Sequence, residues 1–198
     1  MQTINQQRTD SFFNSMQTDL SKFTIGDYQN GSKLKVTVWY FINYFIFNSA
    51  FPWPYKFKVA LLRLFGSKVG NGVVIKTKVK IKNPWRLTIG DNTWIGESVW
   101  IDNLEDVSIG KNVCISQDAM LLTGNHDYTK TDFPYRLGKI ILDDGTWIGA
   151  KSVVCPGVVC RSHSILTVNS VATKDLEQWS IYSGNPALFV RIRKALTD

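Results

Sequence analysis

The stretch "LLTGNHDYTKTDFPYRLGK", residues 121–139, carries His126, one of only two histidines in the chain. An imidazole, with an ordinary pKa near 6.5, can take a proton from a hydroxyl group at neutral pH. By itself, a loop histidine is just as readily a structural or solvent-exposed side chain. His163, in "CRSHSIL", matches no such loop and reads as a surface turn residue. Two histidines at unrelated positions fall short of a zinc site built from three. Cys114, Cys155 and Cys160 have no CxxC spacing and cannot all pair within the chain, so they read as reduced, buried thiols. The formal charge is +7, but the 23 lysines and arginines are scattered, and only Arg191, Arg193 and Lys194 cluster. So diffuse an excess reads as a solvated surface, not a nucleic-acid face.

The elements that must position His126 are set by an unusual period. Aliphatic residues recur every six positions: Val69, Ile75, Ile81, Leu87; then Ile89, Ile95, Ile101, Val107; then Ile109, Ile115, Leu121. After the polar loop come Ile148, Val154, Cys160, Leu166 and Ala172, and several of these residues are followed by glycine. A six-residue period fits neither a helix nor a simple alternating strand. It fits short strands joined by tight corners, with one inward side chain per strand. Three such sides close a triangular coil of about eighteen residues, and coils stack at roughly 4.8 Å.

At the flanks the signals differ. The polar N-terminus, residues 1 to 34, reads as loosely ordered and has no secretory leader pattern, so the chain reads as cytoplasmic. Residues 36–65 read as one or two helices, with Val59, Leu62 and Phe65 on one face and Gly66 as a stop. This aromatic-rich segment either caps the open end of the first coil or lies in a membrane interface. "NPALFVRIRKAL" reads as a strand or helix against the last coil.

This repeat resembles the hexapeptide-repeat acyltransferases. "TGNHDY", "DFP", "DDGTWIGAKSVVCPGV", "VATKD" and "SGNPALFVRIR" follow the order of the sugar O-acetyltransferase branch, closest to the colanic acid biosynthesis acetyltransferases. The resemblance implies a left-handed parallel β-helix over 69–172, preceded by a polar N-terminus and helical cap (1–68) and followed by a tail packing on the last coil (173–198). It implies that the loop 123–139 carries the active site, with His126 as general base. It also implies that Asn103 and Trp147 contact the acceptor, that Ala150 and Val168 touch acetyl-CoA mainly through backbone, and that Thr173, Lys174 and Arg191 approach its phosphates. The expected assembly is a homotrimer, with no metal and no nucleic-acid partner. The loop is shorter and poorer in histidine than in galactoside relatives. "CPGVVCRSHS" stands where a glycine-acidic turn is usual, which leaves the coil's regularity open there.

The expected activity is therefore acetyl-CoA-dependent O-acetylation of a sugar hydroxyl in surface-polysaccharide biosynthesis. The rivals are N-acetylation of an amino sugar on the same fold and a non-catalytic β-helix scaffold.

Overall fold

Six residues suffice for a two- or three-residue strand and a corner, and the corner is a fixed backbone event. In the computed structural model, which describes residues 17–26, 28 and 30–194, one residue takes a positive φ three positions before the inward side chain at eleven corners. Gly72 and Lys78, Asn92 and Ser98, Asn112 and Asp118, and then Gly145, Lys151, Gly157, His163 and Asn169 form this series, with φ between 53° and 84°. Asn, Asp and Gly tolerate that region best, and the fold pays a little strain at Lys78, Lys151 and His163.

The strands between corners build three parallel sheets. Sheet one stacks Lys68–Val69, Leu87–Ile89, Val107–Ile109, Ile140–Leu142 and Val159–Cys160. Sheet two stacks Val74–Ile75, Trp94–Ile95, Cys114–Ile115, Trp147–Ile148 and Ile165–Leu166. Sheet three stacks Lys80–Ile81, Trp100–Asp102, Met120–Leu122, Val153–Val154 and Val171–Ala172. Equivalent residues sit in register, as in Ile75↔Ile95, Ile95↔Ile115 and Ile115↔Ile148. The inward aliphatic positions from Ile75 to Ala172 are buried, each stabilising the stack by roughly 1.5–3 kcal/mol if fully removed from water.

The Ile-Gly pairs now have a cause. A Cβ added to Gly90 would come within 2.5 Å of the carbonyl carbon of Gly110, so at this corner the next coil's backbone occupies the side-chain position. The "CPGVVCRSHS" stretch is regular: Gly157 and His163 take corner positions, and Val159–Cys160 pairs with Ile141–Leu142. Parallel pairing also continues past Ala172. Ser180–Gly184 adds to sheet two beside Ile165–Leu166, and Ala187–Ile192 turns back antiparallel to it. His163 is not a free surface side chain, because its ring stacks on Trp179 at 4.2 Å.

The described residues form two compact units, one of residues 30–124 and 137–194, the other of residues 17–26, 28 and 125–136. In the first unit, helix α1 (Lys33–Ile42), a π turn (Asn43–Phe47) and helix α2 (Tyr55–Leu64) cover the open end of the first coil. Trp39, Phe47, Val59 and Leu62 are buried against it, which selects the cap reading for that face. Each side of the exposed coil end also receives a side-chain partner. Arg63 donates to the carbonyls of Val69 (2.7 Å) and Gly70 (2.9 Å). Lys58 donates to those of Lys76 (2.7 Å) and Ile75 (3.4 Å). Trp39 Nε1 donates to the Ile81 carbonyl (2.8 Å), while the Asn43 side chain accepts from the Ile81 amide (3.1 Å). Backbone groups that no further coil can pair are satisfied in this way.

Lys58 is wholly buried. Lys58→Ala is expected to lower the unfolding free energy by about 2–4 kcal/mol, because two carbonyls lose a buried donor. Burial holds the Lys58 ammonium below the ordinary value of 10.5. The unfolded chain therefore binds this proton more tightly, and stability rises with pH through the window just below 10.5. Denaturant titrations across that window should show the rise in the parent and its loss in Lys58→Met. An unchanged slope in the variant would assign the rise to other groups.

Candidate active site

In the unit formed by the N-terminal residues and the loop, Gly124–His126 and Tyr135–Leu137 pair as a short hairpin. Its tip is held by the Asp127 amide on the Pro134 carbonyl (2.9 Å). The Asp127 carboxylate accepts from the amide (3.1 Å) and hydroxyl (2.5 Å) of Thr129, which holds its carboxyl below the usual range. The Asn125 side chain accepts from the His126 amide at 2.8 Å. These local bonds fix the backbone on both sides of His126.

The imidazole itself is clamped. His126 Nδ1 lies 2.7 Å from the Phe133 carbonyl oxygen. A carbonyl only accepts, so Nδ1 carries the hydrogen, and in the neutral ring the lone pair is at Nε2. Phe133 reaches this pose with φ 49°, an uncommon conformation for an aromatic residue. Its ring stacks on the imidazole with centroids 4.5 Å apart and planes 12° apart. Tyr135 (5.1 Å) and Phe23 (5.8 Å) complete an aromatic enclosure, and Tyr28 packs on Tyr135.

Two members of this enclosure lie outside the loop. Phe23 and Tyr28 belong to the segment read as polar and loosely ordered, which instead joins the loop in one unit, with the Asp19 amide on the Thr131 carbonyl (2.8 Å). The isolated aromatics at 23 and 28 were the available signal, and composition averaged them away. Residues 1–16 of that segment lie outside the described residues.

The coil unit holds the remaining predicted residues. Trp147 is the outward residue of its strand, 46% exposed, with Nε1 donating to Ser116 Oγ at 2.9 Å. In register it stands one rung from Cys114 and two from Trp94. A groove of about 450 Å³ runs past Trp94 and Ser116, with Lys76, Glu97, Cys114 and Gln117 among its lining residues. Ser116 was not singled out in the sequence, because it is one of many corner serines. Burial raises the thiols of Cys114, Cys155 and Cys160 above the ordinary cysteine value, so none is an activated nucleophile.

Asn103 is corrected. It is fully buried, its Oδ1 accepts from the Asn83 amide (2.9 Å), and its Nδ2 donates to the carbonyls of Asn83 (2.6 Å) and Arg86 (3.3 Å). These bonds lock two coils together, and full burial keeps the side chain away from the outer surface. Ala150 and Val168 lie together at the corner after sheet two, where the Asn169 amide donates to the Ala150 carbonyl (2.8 Å). Thr173 and Lys174 follow the last strand of sheet three, at the next corner. Arg191 stands on the final antiparallel strand opposite Ile181.

No family model matches the chain. The protein named "Putative colanic acid biosynthesis acetyltransferase WcaF" of Escherichia coli is 35% identical over 176 residues, covering 88% of this chain and 97% of that protein. The chain belongs to the hexapeptide-repeat acetyltransferases. A galactoside O-acetyltransferase of Escherichia coli is 26% identical over 149 residues, covering 73% of each chain. Among solved structures, a hexapeptide-repeat acetyltransferase of Vibrio cholerae in complex with acetyl coenzyme A superposes with a TM-score of 0.75 at 21% identity. That match covers 88% of this chain and 97% of the other. The stacked coils are accordingly the left-handed parallel β-helix of this acetyltransferase family, and the protein is an acyltransferase.

Proposed function

We propose that the protein is an acetyl-CoA-dependent O-acetyltransferase acting on a sugar hydroxyl in surface-polysaccharide biosynthesis, with His126 as general base. The observation that carries this reading is the Phe133 carbonyl on His126 Nδ1, which leaves Nε2 as the free proton acceptor. A sugar hydroxyl is a weak nucleophile until its proton is removed, and imidazole can do this at neutral pH. Nε2 takes the proton as the hydroxyl oxygen bonds to the acetyl carbon, and the thiolate of coenzyme A departs. Backbone N–H groups near the loop or the Ala150 corner stabilise the developing oxyanion. The raised thiols of the three cysteines favour this direct transfer over a covalent enzyme intermediate. The relative named for colanic acid biosynthesis and the galactoside O-acetyltransferase support a sugar acceptor and an oxygen nucleophile.

Coenzyme A fits the donors that the coils present. Thr173, Lys174 and Arg191 are exposed, and among the described residues neither cation is paired with a carboxylate. Their exposed polar groups can meet phosphate oxygens, with Arg191 Nη1 also on the Ile192 carbonyl at 3.4 Å, while Ala150 and Val168 offer backbone and a small apolar surface. These groups lie at two successive corners of the coil, and on this reading a neighbouring copy completes the site. Outward apolar residues run along both adjoining sheets, Trp94 and Trp147 on sheet two and Trp100 and Met120 on sheet three. Such faces suit a closed cyclic assembly with the site at the seam, and the proposed assembly is a trimer.

Three measurements test the reading. His126→Ala should lower kcat by roughly 100- to 10,000-fold with little change in coenzyme A affinity; retention of more than about a third of the rate would reject the base. Lys174→Ala and Arg191→Ala should raise the acetyl-CoA KM more than they lower kcat. That effect should shrink with dephospho-coenzyme A for whichever residue meets the 3′-phosphate, and equal losses with both donors would assign the two residues elsewhere. Light scattering should give three times the 22.5 kDa chain mass, and a monomer at micromolar concentration would remove the shared-seam site.

A further inference from the structure

The cap has a second face that the coil does not use. Along α1 and the π turn, Trp39 and Phe47 point into the core, while Leu34, Val38, Phe41 and Phe45 are exposed at spacings of four, three and four residues. They form one stripe on the opposite side, flanked by exposed Tyr40 and Tyr44. Phe41 is 54% exposed and Phe45 62%. A helix that is apolar on both sides is ordinarily covered on both, and bare apolar surface of this kind marks a contact site. None of the described helices is long and apolar enough to cross a membrane.

Charge identifies what covers it. Between residues 28 and 90 the sequence places eleven of its 23 lysines and arginines and none of its 16 aspartates and glutamates. Lys78, Lys82 and Arg86 pair with Glu97, Asp102 and Glu105, all from beyond that stretch. Lys33 and Lys56, at the starts of α1 and α2, and Lys68 are exposed and form no ion pair among the described residues. A second copy on this face would bring like charges together. An anionic surface would not, and exposed tyrosines and phenylalanines in a stretch that also carries unpaired lysines suit the headgroup boundary of a bilayer.

We infer that the outer face of α1 and the π turn docks the protein on an anionic lipid bilayer, lying in the headgroup region without crossing it. The inserted aromatics supply apolar burial, and Lys33 and Lys56 supply attraction to lipid phosphate.

The test is flotation of the full chain with vesicles of phosphatidylcholine containing about one-third phosphatidylglycerol, and with phosphatidylcholine alone, at low and moderate salt. The expected result is binding to the anionic vesicles at low salt, weakened by salt. Binding should fall by about tenfold or more in Phe41→Ser/Phe45→Ser and in Lys33→Glu/Lys56→Glu. Both variants should melt as the parent does, because the altered side chains point away from the core. Failure of the full chain to bind anionic vesicles at low salt overturns the inference, as does undiminished binding by the phenylalanine variant. So does self-association that the phenylalanine variant abolishes without any vesicle binding, since a second copy is then the occupant.

Discussion

A backbone hydrogen bond from one coil to the next is the interaction on which everything else rests. Each coil has almost no internal regular bonding; its amides and carbonyls are satisfied by the coil above and the coil below, as in Trp94 N to Val113 O and Cys114 N to Thr146 O. A stack held together in this way must have ends, and an end is a triangle of unpaired polar backbone around an apolar core. Lys58, Arg63, Trp39 and Asn43 close one end by substituting side-chain groups for the missing coil. The antiparallel return of Ala187–Ile192 closes sheet two at the other. The same demand for close stacking explains why side chains are excluded at positions such as Gly90.

Regularity of this kind leaves little room for chemistry. Inward positions are filled by aliphatic side chains, and corners are constrained by φ, so reactive groups are left to outward rungs and to departures from the repeat. Trp147 stands on an outward rung, and His126 in a departure from the repeat. In the loop, the histidine is oriented by a backbone carbonyl and not by a carboxylate. The aromatic enclosure of Phe23, Phe133 and Tyr135 gives the ring its walls. On the proposed reading, preorganisation of the base is the task of a dozen loop residues together with a segment more than a hundred positions earlier in the chain.

How much of this could be read in advance varies with the range of the interaction. The inward series from Ile75 to Ala172 is a local, repeating signal, so the strands and the position of the loop were legible. Corner conformation was legible at Asn92 and Asn112 but not at Lys78 or Lys151, whose side chains carry no preference for positive φ. Asn103 was misassigned because a stacked, fully bonded asparagine and a ligand-contacting one look identical in one sequence. Its partner Asn83 lies twenty residues away, one coil below. Phe23 and Tyr28 were missed for the same reason, since their partners are distant in the chain. Lys58 could not have been read as buried, because nothing local announces carbonyls waiting at the end of a coil.

The loop leaves the coil at Thr123 and re-enters at Gly138, and the Gly138 amide donates to the Thr123 carbonyl at 2.9 Å. Its two ends are therefore pinned one hydrogen bond apart, whatever lies between them. For a flexible insertion, the entropic cost of closure grows only logarithmically with length, about 0.6 kcal/mol per doubling. The coils consequently act as a socket into which loops of different size and composition can be exchanged at nearly constant scaffold stability. Change in residues 125–136 is thereby uncoupled from change in the stack that bears them.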